Sequence, residues 1–458
     1  MLKFSLRYLL VESCIEEQIF THQIVSLIIF IFIISLIISR RLEESHAGLL
    51  GISLILILGI MDLYKAFDTY VDWNIIMILL GMWMISYFMS DSGLVDYMVQ
   101  KILERIRDAR AIVFIMNLLA GIVTMFVDNV LAVLLFVPIM LRIAKLYNID
   151  PVKTSITVAL SANFMGTALL LGDLPPQLLH VIFGAEFTNF IWMNNRPSSF
   201  IILLTSFIPT IYIVTRVFVK SSEKILMKTL PKKDETYVKK DLEYMTVATL
   251  SFIIVIILMS LRKELSLLLG YEIRLGVFPL LIASLFSIIL VLKRKTSFEK
   301  IVEEGIDLNA ILFYISLFIL VGSLEETGVL QKFSEMISPM LQQLLIGYIM
   351  IYWVSALVVA FVEHDAYILI MLKTIKYMTT QGAITDPWPF NWALLFAGTL
   401  GSNFTAAGAP ALYVAFRLIE RDIVRKILPR EIYLTTVTYT ITSLIICFFI
   451  SLFIWVLI

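Results

Sequence analysis

Four carboxylates and one histidine lie inside strongly apolar stretches of the sequence, where ionisable side chains are rare. They are Asp128, Asp173, Glu363, His364 and Asp365. A charged side chain in hydrocarbon costs a few kcal/mol even on lenient insertion scales, so such residues usually face the protein interior and mark ion or proton pathways. Carboxylates hold cations or protons, and histidine exchanges protons near neutral pH. These residue types therefore predict a buried site for a proton or another small cation.

Two further stretches combine glycine and proline with small polar residues. They are NFMGTALLLGDLPP, which starts at Asn163, and SNFTAAGAP, which starts at Ser402. Proline lacks a backbone donor and glycine relaxes the backbone restrictions, so both stretches predict unwound segments. Such segments are tolerated at membrane depth where protein or a water-filled cavity covers them. A simple proline kink between packed helices is the structural alternative.

Together these stretches supply the candidate substrate- and ion-binding residues. The candidates are Asp128, Asn129, Asn163, Thr167, Gly172, Asp173, Glu363, His364, Asp365, Asn403, Thr405 and Gly408. Asp128, Asn129 and Asp173 form a candidate Na⁺ position, and we expect Asp128 to matter most. Asp365 could instead simply pair with Lys373 or His364. We predict no resident metal, because three consecutive residues on one helical turn point in different directions.

The composition defines the class of protein that must position these residues. Of 458 residues, 60% are hydrophobic, the mean hydropathy is +0.92, and apolar runs of membrane-spanning length recur along the chain. This predicts an all-α polytopic protein whose surroundings are the lipid bilayer. Basic and acidic residues are balanced at 36 each, so no nucleic-acid partner is expected. The chain carries neither a recognisable catalytic motif nor an ATP-binding loop, so we expect no enzyme activity and no cofactor beyond a coupling ion, H⁺ or Na⁺.

The sequence contains an internal duplication. Asn74 matches Asn309 within similar apolar stretches, 235 residues apart, and FVDN (residues 126–129) falls on FVEH (residues 361–364) at the same offset. The GTALLLGDLPP stretch falls on GSNFTAAGAPA at the same offset or one more. An ordered series of three matches predicts two repeats of one structural unit.

The repeats are separated by a basic segment. We predict a first repeat over residues 1–220, a linker over 221–242 and a second repeat over 243–458. Residues 220–240 contain seven lysines. Basic loops stay on the cytoplasmic side of a membrane, so we expect the linker to be cytoplasmic.

The distribution of basic loops predicts the topology of each repeat. Each repeat has about five crossings, one re-entrant helical hairpin and one broken helix. The predicted hairpins cover 111–141 and 346–378, and the predicted broken helices cover 152–190 and 391–416. An odd number of crossings makes the two repeats inverted, which is a transporter plan in which broken helices meet near the membrane midplane. The alternative, two ordinary crossings in place of the first hairpin, fits the basic loops less well.

The stretch FVDNVLAVLLFVPIMLRI (residues 126–143), followed by NFMGTALLLGDLPP, resembles the arsenite permease and melanosomal P-protein group of the ion transporter superfamily. That superfamily also includes sodium–proton antiporters. The resemblance implies a multi-pass secondary transporter of the plasma membrane. It also implies scaffold and transport domains, an elevator-type movement and a homodimeric assembly. The chain departs from the group at Glu363-His364, where relatives often repeat an Asp-Asn pair, and at Gln177, where asparagine is common.

Two transport hypotheses follow from the motifs and the resemblance. The first is a carrier of a small inorganic ion or metalloid, by arsenite-type efflux or Na⁺/H⁺ exchange, coupled to protons or Na⁺. The alternative is a Na⁺-coupled symporter of a di- or tricarboxylate or another small anion. A channel and a membrane-embedded enzyme are other classes, which saturation of the flux and a metal assay would distinguish from a carrier.

Overall fold

The computed structural model describes residues 2–39, 42–94, 97, 101, 106, 108–219 and 241–458, with side chains from Phe20 onward. Helices dominate these residues. They are α1 (Leu2–Ser39), α2 (Glu44–Ile57), α3 (Trp73–Asp91), α4 (Ala109–Thr124), α5 (Asn129–Leu146), α6 (Pro151–Met165), α7 (Leu174–Phe183), α8 (Ser199–Phe218), α9 (Leu242–Ser260), α10 (Arg262–Leu269), α11 (Val277–Leu292), α12 (Phe298–Gly305), α13 (Leu308–Glu326), α14 (Val329–Leu341), α15 (Leu344–Val359), α16 (His364–Thr380), α17 (Trp388–Ser402), α18 (Pro410–Ile423) and α19 (Pro429–Leu452). Two short strands, β1 (Trp192–Met193) and β2 (Arg196–Pro197), pair antiparallel.

Seven helical segments in the described part of the chain are long and apolar enough to cross a membrane. They are Phe20–Ser39, Trp73–Asp91, Asn129–Leu146, Ser199–Phe218, Leu242–Ser260, Leu308–Glu326 and Pro429–Leu457. The prediction of an all-α polytopic membrane protein is therefore confirmed. The inverted orientation of the repeats, the re-entrant hairpins and the elevator movement stay predictions. The predicted linker lies outside the described residues, except for its last two positions.

The chain divides into two compact units. The first comprises Met1–Trp73, Asp307–Gln343 and Leu369–Pro387. The second comprises Asn74–Ile306, Leu344–Ile368 and Trp388–Ile458. Each unit draws segments from both predicted repeats. All twelve candidate binding residues belong to the second unit.

The first unit is held by close helix packing and by buried polar contacts. A Cβ added to Gly48 on α2 would lie 2.5 Å from the Cβ of Ser316 on α13, so the two helices approach at a glycine. The hydroxyls of Ser26 and Thr327 are hydrogen-bonded at 2.9 Å. Lys65 and Glu326 form an ion pair at 2.6 Å.

Four short interruptions separate helix pairs in the second unit. Residues 125–128 separate α4 from α5, and residues 360–363 separate α15 from α16. Residues 166–173 separate α6 from α7, and residues 403–409 separate α17 from α18. Helices α6 and α17 are buried along nearly their whole length. The interruption after α6 is buried throughout, whereas residues 404–407 of the interruption after α17 are half-buried.

A glycine in each broken helix packs directly on a helix end. A Cβ at Gly172 would lie 2.3 Å from the carbonyl oxygen of Thr124, the last residue of α4. A Cβ at Gly408 would lie 2.2 Å from the carbonyl oxygen of Val359, the last residue of α15. Only glycine permits this approach of two backbones. Gly408 follows Gly172 by 236 residues, so the two contacts recur at the spacing of the sequence repeat.

Replacing either glycine should destabilise the protein strongly. Gly172→Ala and Gly408→Ala each force a methyl group against a backbone carbonyl that cannot rotate away, and we expect a loss of about 2–3 kcal/mol. Thermal unfolding of the purified protein in detergent measures this loss. Gly184→Ala is the control, because its Cβ would meet nothing within 4 Å and only its positive φ of 73° resists alanine. Equal melting temperatures for Gly172→Ala and the wild type would contradict the packing contact.

Candidate ion-binding site

Three asparagines form a buried hydrogen-bonded chain through the second unit. Asn129 Nδ2 donates to Asn163 Oδ1 at 2.9 Å, and Asn163 Nδ2 donates to Asn403 Oδ1 at 2.9 Å. Asn403 Nδ2 in turn donates to the carbonyl oxygen of Leu160 at 3.4 Å. The chain therefore joins the start of α5 to both broken helices. These amides are largely engaged with one another, which suits positioning of the backbone better than direct binding of a ligand.

Three of the candidate carboxylates cap helix N-termini. Asp128 Oδ1 accepts from the backbone amides two and three residues ahead, at 2.9 and 3.4 Å, at the start of α5. Glu363 accepts from the amides two and three residues ahead, at 3.0 and 2.9 Å, at the start of α16. Asp173 Oδ1 accepts from the next amide at 3.0 Å, at the start of α7. An acidic cap satisfies free amides and offsets the positive end of the helix dipole, which compensates for the burial of Asp173 and Glu363. Asp128 is half-buried.

The His364 ring lies at the centre of the acidic cluster. Its Nδ1 is 3.0 Å from the carbonyl oxygen of Gly408, and because a carbonyl only accepts, Nδ1 must carry the hydrogen. Its Nε2 is 3.6 Å from Asp173 Oδ2 and 3.4 Å from Asp365 Oδ1. Neither Nε2 nor Asp365 Oδ1 makes a hydrogen bond with any described residue. In a neutral ring the Nε2 lone pair would therefore face two carboxylate oxygens.

This convergence of acceptors favours a positive charge at the cluster. A proton on Nε2 or on a carboxylate, or a bound cation, converts repulsion among the three acceptors into attraction. One ligand atom from each of Asp173, His364 and Asp365 lies within 4.8 Å of the others, a spacing that could also accommodate a metal ion. The prediction of no resident metal stays a prediction. Of the consecutive triplet, only His364 and Asp365 belong to this group, because Glu363 Oε1 lies 3.3 Å from His364 Nδ1, on the other side of the ring.

The alternative partner that we considered for Asp365 is engaged elsewhere. Lys373 pairs with Glu325 within the first unit. Asp365 is 3% exposed and faces the imidazole, so its negative charge belongs to the cluster rather than to a surface ion pair.

The remaining candidates have mixed placements. Thr405 is half-buried, and its hydroxyl donates to the carbonyl oxygen of Ala360 at the end of α15. Gly172 and Gly408 serve the backbone contacts described above. The hydroxyl of Thr167 is buried and has no hydrogen-bond partner among the residues that the structure covers.

The structure also identifies buried polar groups that sequence reasoning did not select. Gln177 Oε1 and the Thr399 hydroxyl are without a hydrogen-bond partner in the described ranges. Gln177 follows two prolines at the start of α7, and its departure from the family's asparagine was the signal that could have identified it. Thr399 gave no such signal, because a lone threonine in an apolar helix is common.

The fold and the cluster define a class of protein. An all-helical membrane protein whose broken helices surround buried ionisable groups has the features of a secondary transporter. A family model described as citrate transporter matches residues 34–397. The chain therefore belongs to the citrate transporter family.

Individual relatives agree with this assignment. An uncharacterized transporter of Mycobacterium tuberculosis is 24% identical over 409 residues, which cover 87% of this chain and 91% of the relative. The 46 kDa membrane protein of Mycobacterium leprae is 23% identical over 407 residues, covering 86% and 90%. The human P protein is 21% identical over 486 residues, covering 90% of this chain and 57% of the relative. The sequence resemblance to the P-protein group is thus confirmed.

Substitutions at Asp128 separate its capping role from a role of its charge. Asparagine caps helices about as well as aspartate, so Asp128→Asn should keep the wild-type melting temperature, whereas Asp128→Ala should lose about 1 kcal/mol. Thermal unfolding in detergent measures both. Asp150 is the matched control, because it caps α6 through the amides two and three residues ahead at 3.0 and 3.2 Å. If Asp128→Asn lowered the melting temperature as much as Asp128→Ala while Asp150→Asn left it unchanged, helix capping would not account for the contribution of Asp128 to stability.

Proposed function

We propose that the protein is a cation-coupled carrier of a small carboxylate, of the di- or tricarboxylate class, and that its coupling cation binds between Asp173, His364 and Asp365. The observation that carries the proposal is the convergence of three buried atoms, His364 Nε2, Asp365 Oδ1 and Asp173 Oδ2, of which only Asp173 Oδ2 receives a hydrogen bond, from Asn129, among the described residues. The family match supports a carboxylate substrate better than the inorganic ion or metalloid of our first hypothesis. The coupling cation is H⁺ or Na⁺.

The charge of the cluster explains why transport would be coupled. Carboxylates at Asp173 and Asp365 repel an anionic substrate, and two like charges 4 Å apart interact by about 4 kcal/mol at an effective dielectric constant of 20. A cation bound at the cluster removes this repulsion. The anion would then bind well only to the cation-loaded protein, so the two species cross the membrane together.

Buried hydroxyls near the cluster supply donors for the anion. Thr167 follows Gly166, whose added Cβ would lie 3.2 Å from Asp173 Oδ2, so the backbone that carries Thr167 passes close to the acidic cluster. The carbonyl oxygen of Thr399 accepts from Asn163 Nδ2 at 3.3 Å, which places this residue beside the asparagine chain. We propose that the Thr167 and Thr399 hydroxyls donate to the substrate carboxylates.

Uptake by the protein in proteoliposomes tests the coupling role. Imposed H⁺ or Na⁺ gradients should drive uptake of citrate or succinate into vesicles containing the wild type. Asp365→Asn and Asp173→Asn each remove a charge that binds the cation, and we expect gradient-driven uptake to fall at least about tenfold, the equivalent of 1.4 kcal/mol.

The control for this experiment is Glu335→Gln. Glu335 is an exposed carboxylate on α14 that accepts from Gln331 at 3.2 Å, outside the cluster. This variant should transport like the wild type. Undiminished gradient-driven uptake by both aspartate variants would refute the coupling site, and gradient-driven flux of arsenite in place of carboxylates would refute the substrate class.

A further inference from the structure

The second unit also contains a cavity beside the turn between α4 and α5. Its volume is about 280 Å³, near the lower end of small-molecule sites. Helix α3 contributes Trp83 and Ser86 to its wall, and the turn between α4 and α5 contributes Val127. Leu131, in the first turn of α5, completes the apolar part. None of the candidate binding residues lines this cavity.

The polar part of the cavity wall is acidic. Asp91 at the end of α3 and Glu304 on α12 line it, and both residues are exposed. Asp91 accepts a hydrogen bond from the Tyr244 hydroxyl at 3.0 Å. Among the described residues, neither carboxylate forms an ion pair, and no basic residue lines the cavity. The Ser86 hydroxyl is buried and makes no hydrogen bond in the described ranges, so it could serve as a further polar contact.

We propose that this cavity binds a small hydrophobic amine, with the ammonium group at Asp91 and Glu304 and the apolar body against Trp83, Val127 and Leu131. The negative charge disfavours an anionic substrate in the cavity, because two carboxylates that form no ion pair with any described residue repel a carboxylate. An ammonium group is attracted by the same pair, and a short alkyl or aryl body matches the apolar wall.

A ligand in the cavity would contact the turn between α4 and α5 and could restrict its movement. Val127 and Leu131 flank Asp128 and Asn129, and Asn129 Nδ2 donates to Asp173 Oδ2 at 3.0 Å in the ion-binding cluster. A ligand packed against Val127 and Leu131 would hold this turn in place. If the turn moves during transport, which rests on the proposed function, the amine should inhibit transport. Binding itself does not depend on that function.

Binding to the purified protein tests the proposal without a transport assay. The probes are n-hexylamine, n-hexanol and hexanoate, which share one chain length and differ in charge. The melting temperature of the wild type should rise with n-hexylamine concentration more than with n-hexanol, and least with hexanoate. In the Asp91→Asn/Glu304→Gln double variant, n-hexylamine should bind roughly 3- to 10-fold more weakly, while n-hexanol should be unaffected.

The controls keep the test independent of folding and of detergent effects. Glu303→Gln changes an exposed neighbour on α12 that does not line the cavity, and it should bind n-hexylamine like the wild type. Glu304→Gln alone is a surface change that should fold normally and show part of the loss. Equal stabilisation by amine and alcohol, or an undiminished amine effect in the double variant, would overturn the proposal.

Measurements in nanodiscs distinguish a lipid headgroup from a free amine as the ligand of the cavity. A lipid with an ammonium headgroup and a free amine share the chemistry that the cavity recognises. If the lipid headgroup occupies the site, n-hexylamine should stabilise the protein less in phosphatidylethanolamine nanodiscs than in phosphatidylglycerol nanodiscs, whose headgroup has no ammonium. Equal stabilisation in both would assign the cavity to free amines. No n-hexylamine effect in either lipid would overturn the proposal.

Discussion

A carboxylate that leaves water must find compensation inside the protein, and in this chain helix N-termini provide much of it. Asp128, Asp173 and Glu363 each accept hydrogen bonds from the amides of the helix that follows. A helix can begin inside the protein only where another has ended, so each of these acidic caps coincides with an interruption. Three of the four interruptions therefore carry an acidic cap that stabilises both the acid and the start of the next helix, whereas Ala409 precedes α18 without a side-chain cap.

Capping does not compensate the charge of every buried carboxylate, and the oxygens of Asp173 and Asp365 that take no part in capping define the candidate site. One oxygen of Asp173 accepts a hydrogen bond from the first amide of α7. The other accepts from Asn129 and faces the His364 ring. Asp365 Oδ1 accepts no hydrogen bond from a backbone amide in the described ranges, and it faces Nε2 of the His364 ring. The cluster thus carries more negative charge than the protein neutralises. In the proposed function a mobile cation neutralises this excess charge, which would link the buried cluster to coupled transport.

The sequence predicted the features that depend on local chemistry. Apolar runs identified the all-helical membrane fold, and acidic residues within them identified three of the four chain interruptions. The glycines of the two broken helices recur at the repeat spacing because each meets a helix-end carbonyl. The first rank of Asp128 stays a prediction; the structure adds that Asp128 caps α5, which its setting in the sequence did not indicate. The meeting of Asp173 with His364 joins residues almost 200 positions apart, which local patterns do not specify. Gln177 was noted only as a departure from the family and Thr399 was not selected, because an unpartnered polar atom is a property of packing, not of residue type.

Equilibrium binding of citrate to the purified protein, measured by titration calorimetry over a range of pH with and without Na⁺, tests the central claim most directly. If a cation must neutralise the Asp173–His364–Asp365 cluster before an anion binds, citrate affinity should fall at least about tenfold when the coupling cation is withdrawn. By linkage, citrate should then raise the affinity for that cation by the same factor. A citrate affinity that is unchanged by both pH and Na⁺ would contradict the claim.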